Sequence, residues 1–138
     1  MRKKILFLCT GNSCRSQMAE GYGKHFLSDN FDIYSAGVET HGLNPKAVEV
    51  MAEDGVDISS QESQNISLFK DIGLDLVITV CGDAHERCPV FPWKTKVIHK
   101  GFLDPAKAEG TPDEVMAQFR TVRDQIKAFV EKEVAGLI

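Results

Sequence analysis

The sequence predicts an α/β domain, a three-layer sandwich built around a central four-stranded parallel sheet. Apolar runs and amphipathic segments follow one another in the order β-α-β-α-β-β-α, the pattern of parallel strands joined by crossover helices. The first run is apolar at successive positions instead of alternate ones, as expected of a strand buried on both faces. The 138 residues show no internal repeat and no linker, so we expect one domain over residues 1–138.

Four short apolar runs are expected to form the strands. They are Lys3–Leu8, Asp32–Gly37, Leu74–Val80 and Lys96–His99. The second closes on a glycine, and the third leads directly into Cys81-Gly82. Ser59–Asn65 is expected to be a solvated loop, and Gly101–Gly110 a loop that holds Asp104-Pro105. Prolines make Asp83–Lys94 an irregular segment.

Three amphipathic helices and one short helix are expected. In the first, Gln17 to about Leu27, the residues Met18, Tyr22 and Phe26 share one face. Asn44-Pro45 starts the second with a capping side chain and a proline at the first helical position, and Gly55 ends it. Ile66–Lys70 is the short helix. The last helix begins at the capping box Thr111–Glu114 and carries the apolar stripe Val115, Phe119, Val122, Ile126 and Phe129.

Composition places the chain among ordinary globular proteins, with 43% hydrophobic and 26% charged residues. A net charge of −4 argues against nucleic acid as a partner, because nucleic-acid binding relies on basic patches. No apolar run has membrane-spanning length, and the basic start precedes too short an apolar stretch for a secretory signal. We therefore expect a cytoplasmic protein that does not bind membranes, in which the four cysteines have catalytic, redox or metal-binding roles.

Residues 9–16, Cys-Thr-Gly-Asn-Ser-Cys-Arg-Ser, lie where the first strand ends and the first helix starts. Five residues separate Cys9 from Arg15, so the loop can wrap a tetrahedral oxyanion with the cysteine sulfur beneath it. Arg15 would hold two oxygens through its planar fork, and this positive field favours the Cys9 thiolate. Gly11 lets the backbone turn and approach the ligand. The anion would be held by a nest of residues at a helix N-terminus: Thr10, Gly11, Asn12, Ser13, Cys14, Arg15 and Ser16.

A plainer interpretation of this loop makes Cys9 a small buried hydrophobe in a strand-loop-helix turn. It leaves unexplained why an arginine, a glycine, an asparagine and two hydroxyls converge there. A Walker-type loop is excluded because no Gly-Lys-Ser/Thr follows. Within the loop, Asn12 is expected to tie the backbone together, Ser13 or Ser16 to donate to the thiolate, and Cys14 to be structural.

The loop fits the Cys-x5-Arg-Ser/Thr motif of low-molecular-weight protein tyrosine phosphatases. The longer stretch 7–21, FLCTGNSCRSQMAEG, resembles one branch of that fold, the thioredoxin-coupled arsenate reductases. The resemblance covers essentially the whole chain. It implies a low-molecular-weight phosphatase-like fold, arsenate as substrate, arsenic resistance as the outcome and reduced thioredoxin as a transient partner and electron donor. No tightly bound cofactor is implied.

Asp104 stands in Asp-Pro-Ala, and Asx-Pro is also a common turn. Its position matches the general acid of the phosphatases, and parallel strands bring residues after the first, third and fourth strands to one edge. Phosphatases of this fold usually place a tyrosine soon after this Asp-Pro, to stack on an aryl substrate. Here Ala106, Lys107 and Ala108 follow, which argues against phosphotyrosine as the substrate.

Cys81 and Cys88 form a Cys-x6-Cys pair. A zinc site with His85 is one interpretation, but two close ligand pairs are missing, and two inert buried thiols is another. In a helix this spacing would separate the Cα atoms by about 10 Å, whereas a disulfide needs about 4.4–6.8 Å, so a helix here would unwind to close the bridge. The pair matches the shuttle cysteines of the thioredoxin-coupled reductases.

The resemblance implies a relay in which Cys9 attacks arsenic, Cys81 attacks Cys9, and Cys88 then takes the disulfide, with Arg15 and Asp104 assisting. It also implies a potassium site formed by Asn12, Glu20 and Ser35, although Gln64 stands where an acidic ligand is expected. We expect a monomer. The alternatives are a phosphatase acting on phosphate monoesters and a non-enzymatic arsenic or redox sensor. His25, His41 and His99 are expected to have surface or packing roles.

Overall fold

The computed structural model describes residues 2–82 and 90–138. Within them the sheet has four strands, β1 (Lys3–Cys9), β2 (Phe31–Gly37), β3 (Leu76–Thr79) and β4 (Lys96–His99). The order is β2-β1-β3-β4, and every neighbouring pair is parallel. The predicted four-stranded parallel sheet is therefore confirmed. β1 and β3 lie at its centre, and the register pairs Leu8 with Thr79.

Three long helices cover one face of this sheet: α1 (Arg15–Leu27), α2 (Pro45–Glu53) and α3 (Pro112–Lys132). Their buried residues pack with Ile5, Phe7, Leu76 and Ile78 in one apolar cluster. The opposite face, with Leu6, Leu8 and Val77, is covered by Phe91 and by a short 3-10 helix, Ile66–Phe69. The three layers arise because alternate residues of each central strand point to opposite faces, and both faces carry apolar side chains.

The helix ends follow the capping signals of the sequence. Asn44 accepts hydrogen bonds from the backbone of Lys46 and Ala47, and Thr111 forms a reciprocal capping box with Glu114. Gly55, just beyond α2, has a φ of 79°, which a residue with a side chain rarely adopts. Of the stripe predicted for α3, Phe119, Val122, Ile126 and Phe129 are buried, as an amphipathic helix requires.

The structure adds local detail to these expectations. α1 begins at Arg15, two residues earlier than expected, and the short helix expected at Ile66–Lys70 is a 3-10 helix, Ile66–Phe69. The loop after β4 contains another, Pro105–Lys107, and a third, Val134–Leu137, follows α3. The irregular segment predicted at Asp83–Lys94 lies mostly outside the described residues. Among the helices in the described ranges, none is long and apolar enough to cross a membrane.

Candidate active site

The residues singled out in the sequence meet at the carboxyl edge of the sheet. Cys9 is the last residue of β1, Cys81 follows β3, and Asp104 follows β4. Cys9 and Cys81 are both buried and belong to the same apolar cluster as Cys14 and Phe102. Strands β1 and β3 are neighbours in the sheet, so Cys9 and Cys81 lie at the ends of adjacent strands.

A cleft of about 360 Å³ opens above Cys9. Its walls come from the loop of residues 9–16, from the segment after β2, and from the 3-10 helix after β4. The lining residues are Cys9, Thr10, Gly11, Ser13, Cys14, Arg15, His41, Asp104, Ala106 and Lys107. Asn12 and Ser16, which were grouped with them as oxyanion-binding residues, are fully buried and do not line it.

Asn12 holds the anion loop, residues 9–16, against the body of the protein. Its Nδ2 donates to Ser16 Oγ at 2.8 Å and to Ser35 Oγ at 2.9 Å. Its Oδ1 accepts the backbone N–H of Gln64 at 2.7 Å. Asn12 has a φ of 48°, the left-handed conformation that asparagine tolerates better than most residues. The network therefore ties the loop to β2 and to the 59–65 segment as well as to itself.

Gly11 is needed for a different reason than the turn predicted for it. The residue with positive φ is Asn12, whereas a Cβ on Gly11 would lie 2.4 Å from Nδ1 of His41. The imidazole thus occupies the space that a side chain at position 11 would need. His41, for which a surface or packing role was expected, is exposed, packs on Gly11 and also forms part of the cleft wall.

The segment 59–65 is a loop with exposed residues, as predicted, and it also braces the anion loop. Ser63 Oγ donates to the Gly11 carbonyl at 3.1 Å, and Gln61 Nε2 donates to Oε1 of Gln17 at 2.8 Å. The fully buried Gln17 in turn donates from Nε2 to the Asn12 carbonyl at 3.0 Å. The sequence did not indicate these hydrogen bonds, because they are set by tertiary packing between residues distant in the chain.

Arg15 joins the anion loop to the loop after β4. Its Nη1 donates to the Phe102 carbonyl at 3.1 Å, and its Nη2 lies 3.6 Å from Oδ2 of Asp104. The other carboxylate oxygen, Oδ1, accepts the N–H of Ala106 and caps the 3-10 helix. Asp104 is therefore both a turn-forming residue and a carboxylate aimed at the site, which combines the two interpretations of its motif.

The two cysteines of the loop are in different electrostatic surroundings. Burial, reinforced by the negative charge of Asp104, raises the pKa of the Cys14 thiol to about 12. Ser13 hydrogen-bonds to Cys14 and opposes this shift. Cys14 is thus held as a neutral thiol near neutral pH, whereas Cys9 lies at the floor of the cleft beside Arg15.

The redox states of the described cysteines differ. Cys81 is disulfide-bonded, whereas Cys9 and Cys14 are in the thiol form. Cys88, the second member of the predicted pair, lies outside the described residues. Just after Cys81, the backbones of Gly82 and Gly101 are packed so closely that a Cβ on Gly82 would lie 2.7 Å from the Gly101 Cα. The ends of β3 and β4 approach each other through this glycine pair.

Asn12, Glu20 and Ser35, the residues of the implied potassium site, are joined by hydrogen bonds. Ser35 Oγ donates to Glu20 Oε1 at 2.5 Å, and the ammonium of Lys24 lies 2.5 Å from Glu20 Oε2. The Gln64 N–H fixes the Asn12 amide so that its donor side, Nδ2, faces Ser35. In this arrangement the donor set does not fit a potassium ion, because Asn12 presents N–H groups and a lysine already neutralises Glu20.

The comparisons with known proteins agree with this geometry. A model of the low molecular weight phosphotyrosine protein phosphatase family matches residues 4–137. An arsenate reductase of Shouchella clausii is 57% identical over 133 residues, which is 96% of each protein. An arsenate reductase of Bacillus subtilis is 56% identical over 124 residues, 90% of this chain and 89% of that protein.

A solved structure described as an arsenate reductase in the phosphate binding state matches this fold with a TM-score of 0.81. The two sequences are 35% identical, and the alignment covers 99% of each chain. The sheet order, the anion loop at the end of β1 and a family match over nearly all of the sequence lead to one assignment. The chain belongs to the low molecular weight phosphotyrosine protein phosphatase family.

Proposed function

We propose that this protein reduces arsenate to arsenite in the cytoplasm, with reduced thioredoxin as electron donor, and so confers arsenic resistance. The observation that carries the proposal is a disulfide-bonded cysteine, Cys81, after the strand that neighbours the one ending at Cys9. Cys81 is disulfide-bonded and lies in the same buried cluster as the reduced Cys9. Ester hydrolysis requires a nucleophile, an arginine and an acid, but no second sulfur. The names of the similar reductases support the same substrate.

Binding begins with the oxyanion in the cleft above Cys9. The backbone carbonyls of Thr10, Gly11 and Ser13 accept hydrogen bonds from Glu39, His41 and Asn44 at 3.0–3.2 Å. These contacts fix the orientation of the loop before the ligand arrives, so little reorganisation opposes binding. Arg15 is buried at the cleft wall, where its guanidinium donates to two oxygens of the anion.

The first chemical step joins sulfur to arsenic. The Cys9 thiolate forms an S–As bond while the As–O bond to an arsenate hydroxyl breaks, and this hydroxyl leaves as water after accepting a proton from Asp104. Arsenic stays in the As(V) state in this step. Asp104 reaches the site because β4 ends beside β3 and because Arg15 holds its Oδ2 toward the cleft.

The second step is the reduction. The Cys81 thiolate attacks the Cys9 sulfur, an S–S bond forms and the S–As bond breaks. Its electron pair stays on arsenic, which leaves as arsenite. Cys88 then attacks Cys81 and releases the Cys9 thiolate, and thioredoxin supplies two electrons to reduce the Cys81–Cys88 disulfide. A disulfide-bonded Cys81 beside a reduced Cys9 supports this order.

The experiment compares two reactions in the same variant. Wild-type protein with thioredoxin, its reductase and NADPH should oxidise NADPH when arsenate is added. The double variant Cys81→Ser/Cys88→Ser should lose this activity yet hydrolyse a small aryl phosphate at its original rate, because that reaction uses only Cys9, Arg15 and Asp104. Equal loss of both reactions would show that the pair is structural, and wild-type protein inactive toward arsenate would refute the proposal.

A phosphatase function remains the second candidate, because the anion loop and Asp104 are both in place. The cleft wall after Asp104 is formed by Ala106 and Lys107, which offer no aromatic surface for an aryl group. We therefore expect ester hydrolysis only as a slow side reaction. Efficient hydrolysis of phosphotyrosine peptides by the wild-type protein would reverse this ranking.

A further inference from the structure

His41 lies at the mouth of the anion loop without a role in the chemistry described so far. Its backbone N–H donates to the Gly11 carbonyl at 3.0 Å, which fixes the main chain of the segment after β2 on the loop. The ring edge that carries Nδ1 faces Gly11 so closely that a Cβ there would lie 2.4 Å away. The imidazole therefore forms part of the wall of the cleft that Cys9 and Arg15 also line.

Glu39 determines which ring nitrogen carries the proton. His41 Nε2 lies 2.6 Å from Glu39 Oε2, and a carboxylate only accepts hydrogen bonds, so Nε2 is the protonated nitrogen. Nδ1 of the neutral ring is then a lone pair directed at the loop. Protonation of the ring converts Nδ1 into a second N–H donor and adds a positive charge beside the anion site.

The charges around the cleft make this conversion depend on the ligand. Arg15 and Lys107 contribute positive charge, whereas Asp104, Glu39 and the Cys9 thiolate contribute negative charge. Cys14, the other titratable group in the wall, stays neutral because burial raises its pKa to about 12. A bound dianion adds two negative charges next to Nδ1, and opposite charge within a few ångströms favours the protonated imidazole.

We propose that His41 is an anion-binding residue that takes up a proton when a dianionic oxyanion enters the loop, with Glu39 orienting the ring. The role concerns the same anion loop as the proposed function and rests on it. It assigns His41 and Glu39 to recognition of doubly charged tetrahedral anions such as arsenate, phosphate or sulfate. Their side chains are 56% and 61% exposed, so substitutions there should leave the fold intact.

The proposed proton uptake by His41 is tested by measuring sulfate binding to the Cys9→Ser protein by calorimetry from about pH 5.5 to 8.5. Sulfate does not titrate in this range, and the serine removes the Cys9 thiol as a titratable group. If one proton is taken up with the anion, affinity should fall as the pH rises, by up to about tenfold per pH unit. His41→Asn in the same background should flatten the profile, whereas His25→Asn, whose ring packs on Phe26 away from the cleft, should keep it.

Glu39→Gln, which replaces the carboxylate that orients the ring through Nε2, should reduce the slope. The His41 ring resonances in NMR spectra near pH 7 should move toward the protonated form on sulfate addition. A pH-independent affinity in the Cys9→Ser protein, or an unchanged slope in His41→Asn, would overturn the role of His41 while leaving arsenate reduction standing. Absence of sulfate binding at every pH would overturn both proposals.

Discussion

The anion loop and the edge formed by the ends of β3 and β4 are held in different ways. Loop residues 10, 11 and 13 accept backbone hydrogen bonds from the segment after β2, and Asn12 is buried among four polar partners. On the opposite side, Asp104 caps its own 3-10 helix, and Gly82 packs directly on the Gly101 backbone. Arg15 connects the two regions through Phe102 and Asp104.

In the proposed mechanism, this difference separates anion binding from redox chemistry. A loop fixed by many hydrogen bonds is suited to holding one tetrahedral anion in one orientation. In the region that supplies the acid and the second sulfur of the proposed mechanism, the ends of β3 and β4 meet at a glycine pair, where backbone can approach backbone without side chains between them. The proposed disulfide relay would need such a region, because Cys81 changes partners during each turnover.

Arg15→Lys should have the largest effect, because it removes the bond between the two regions as well as the fork for the anion. We expect kcat/KM for arsenate to fall by about two orders of magnitude or more although the charge is kept. Steady-state kinetics with the thioredoxin-coupled assay measures it. Arg2→Lys is the matched control, because Arg2 directly precedes β1 and forms an ion pair with Asp32 of β2. A loss of less than about threefold would show that charge alone suffices.

Asn12 tests how the anion loop is held. Asn12→Ala loses the side-chain network and also puts an alanine in the left-handed conformation, whereas Asn12→Gly loses only the network. We expect both to be destabilised, with alanine worse by about 1 kcal/mol. Urea unfolding of the reduced proteins measures the difference. Equal stability of the two variants would mean that the loop relaxes out of the left-handed conformation.

Gly82→Ala should disturb the other region selectively. The new Cβ would meet the Gly101 Cα at 2.7 Å, so the backbone after Cys81 must move. We expect arsenate turnover to fall by about tenfold, since small displacements of reacting groups are costly. Aryl phosphate hydrolysis, which uses Asp104 but not Cys81, should fall less than arsenate turnover. Gly136→Ala, where a Cβ meets nothing within 4 Å, is the control. Equal losses in both reactions would contradict the separation of the two regions.

Cys14 should show almost no reactivity in the folded protein. A pKa of about 12 leaves roughly one thiol in ten thousand ionised at pH 8. Iodoacetamide should therefore alkylate Cys9 and spare Cys14 in the native state, and modify both after unfolding in urea. Peptide mass mapping distinguishes the two sites. Alkylation of native Cys14 at the rate of Cys9 would show that its burial is not maintained in solution.

Much of this fold follows from local sequence signals. The capping residues Asn44 and Thr111 and the apolar stripe of α3 act over a few positions, so the helices could be predicted from them. The buried run of β1 and the Cys-x5-Arg spacing likewise located the anion loop. The parallel arrangement of the strands could be predicted because crossover connections join them.

The supports of the site could not be predicted in the same way. The anion loop and the start of α1 are held by hydrogen bonds between residues that are 45 to 52 positions apart in the sequence: Gln64 with Asn12, Ser63 with Gly11, and Gln17 with Glu62. No local sequence pattern indicates such pairs. Gly11 illustrates the limit. A glycine in a loop suggests an unusual backbone angle, yet here it provides room for the ring of His41, thirty positions away.

The relay is tested most directly by one turnover of Cys88→Ser without thioredoxin. The account predicts release of about one arsenite per protein, followed by a stall with Cys9 bridged to Cys81, as expected when a resolving thiol is missing. Arsenite is quantified by chromatography, and the bridge by mass mapping after acid quenching. Repeated turnover on addition of thioredoxin at the wild-type rate, or a bridge between Cys9 and Cys14, would contradict the relay.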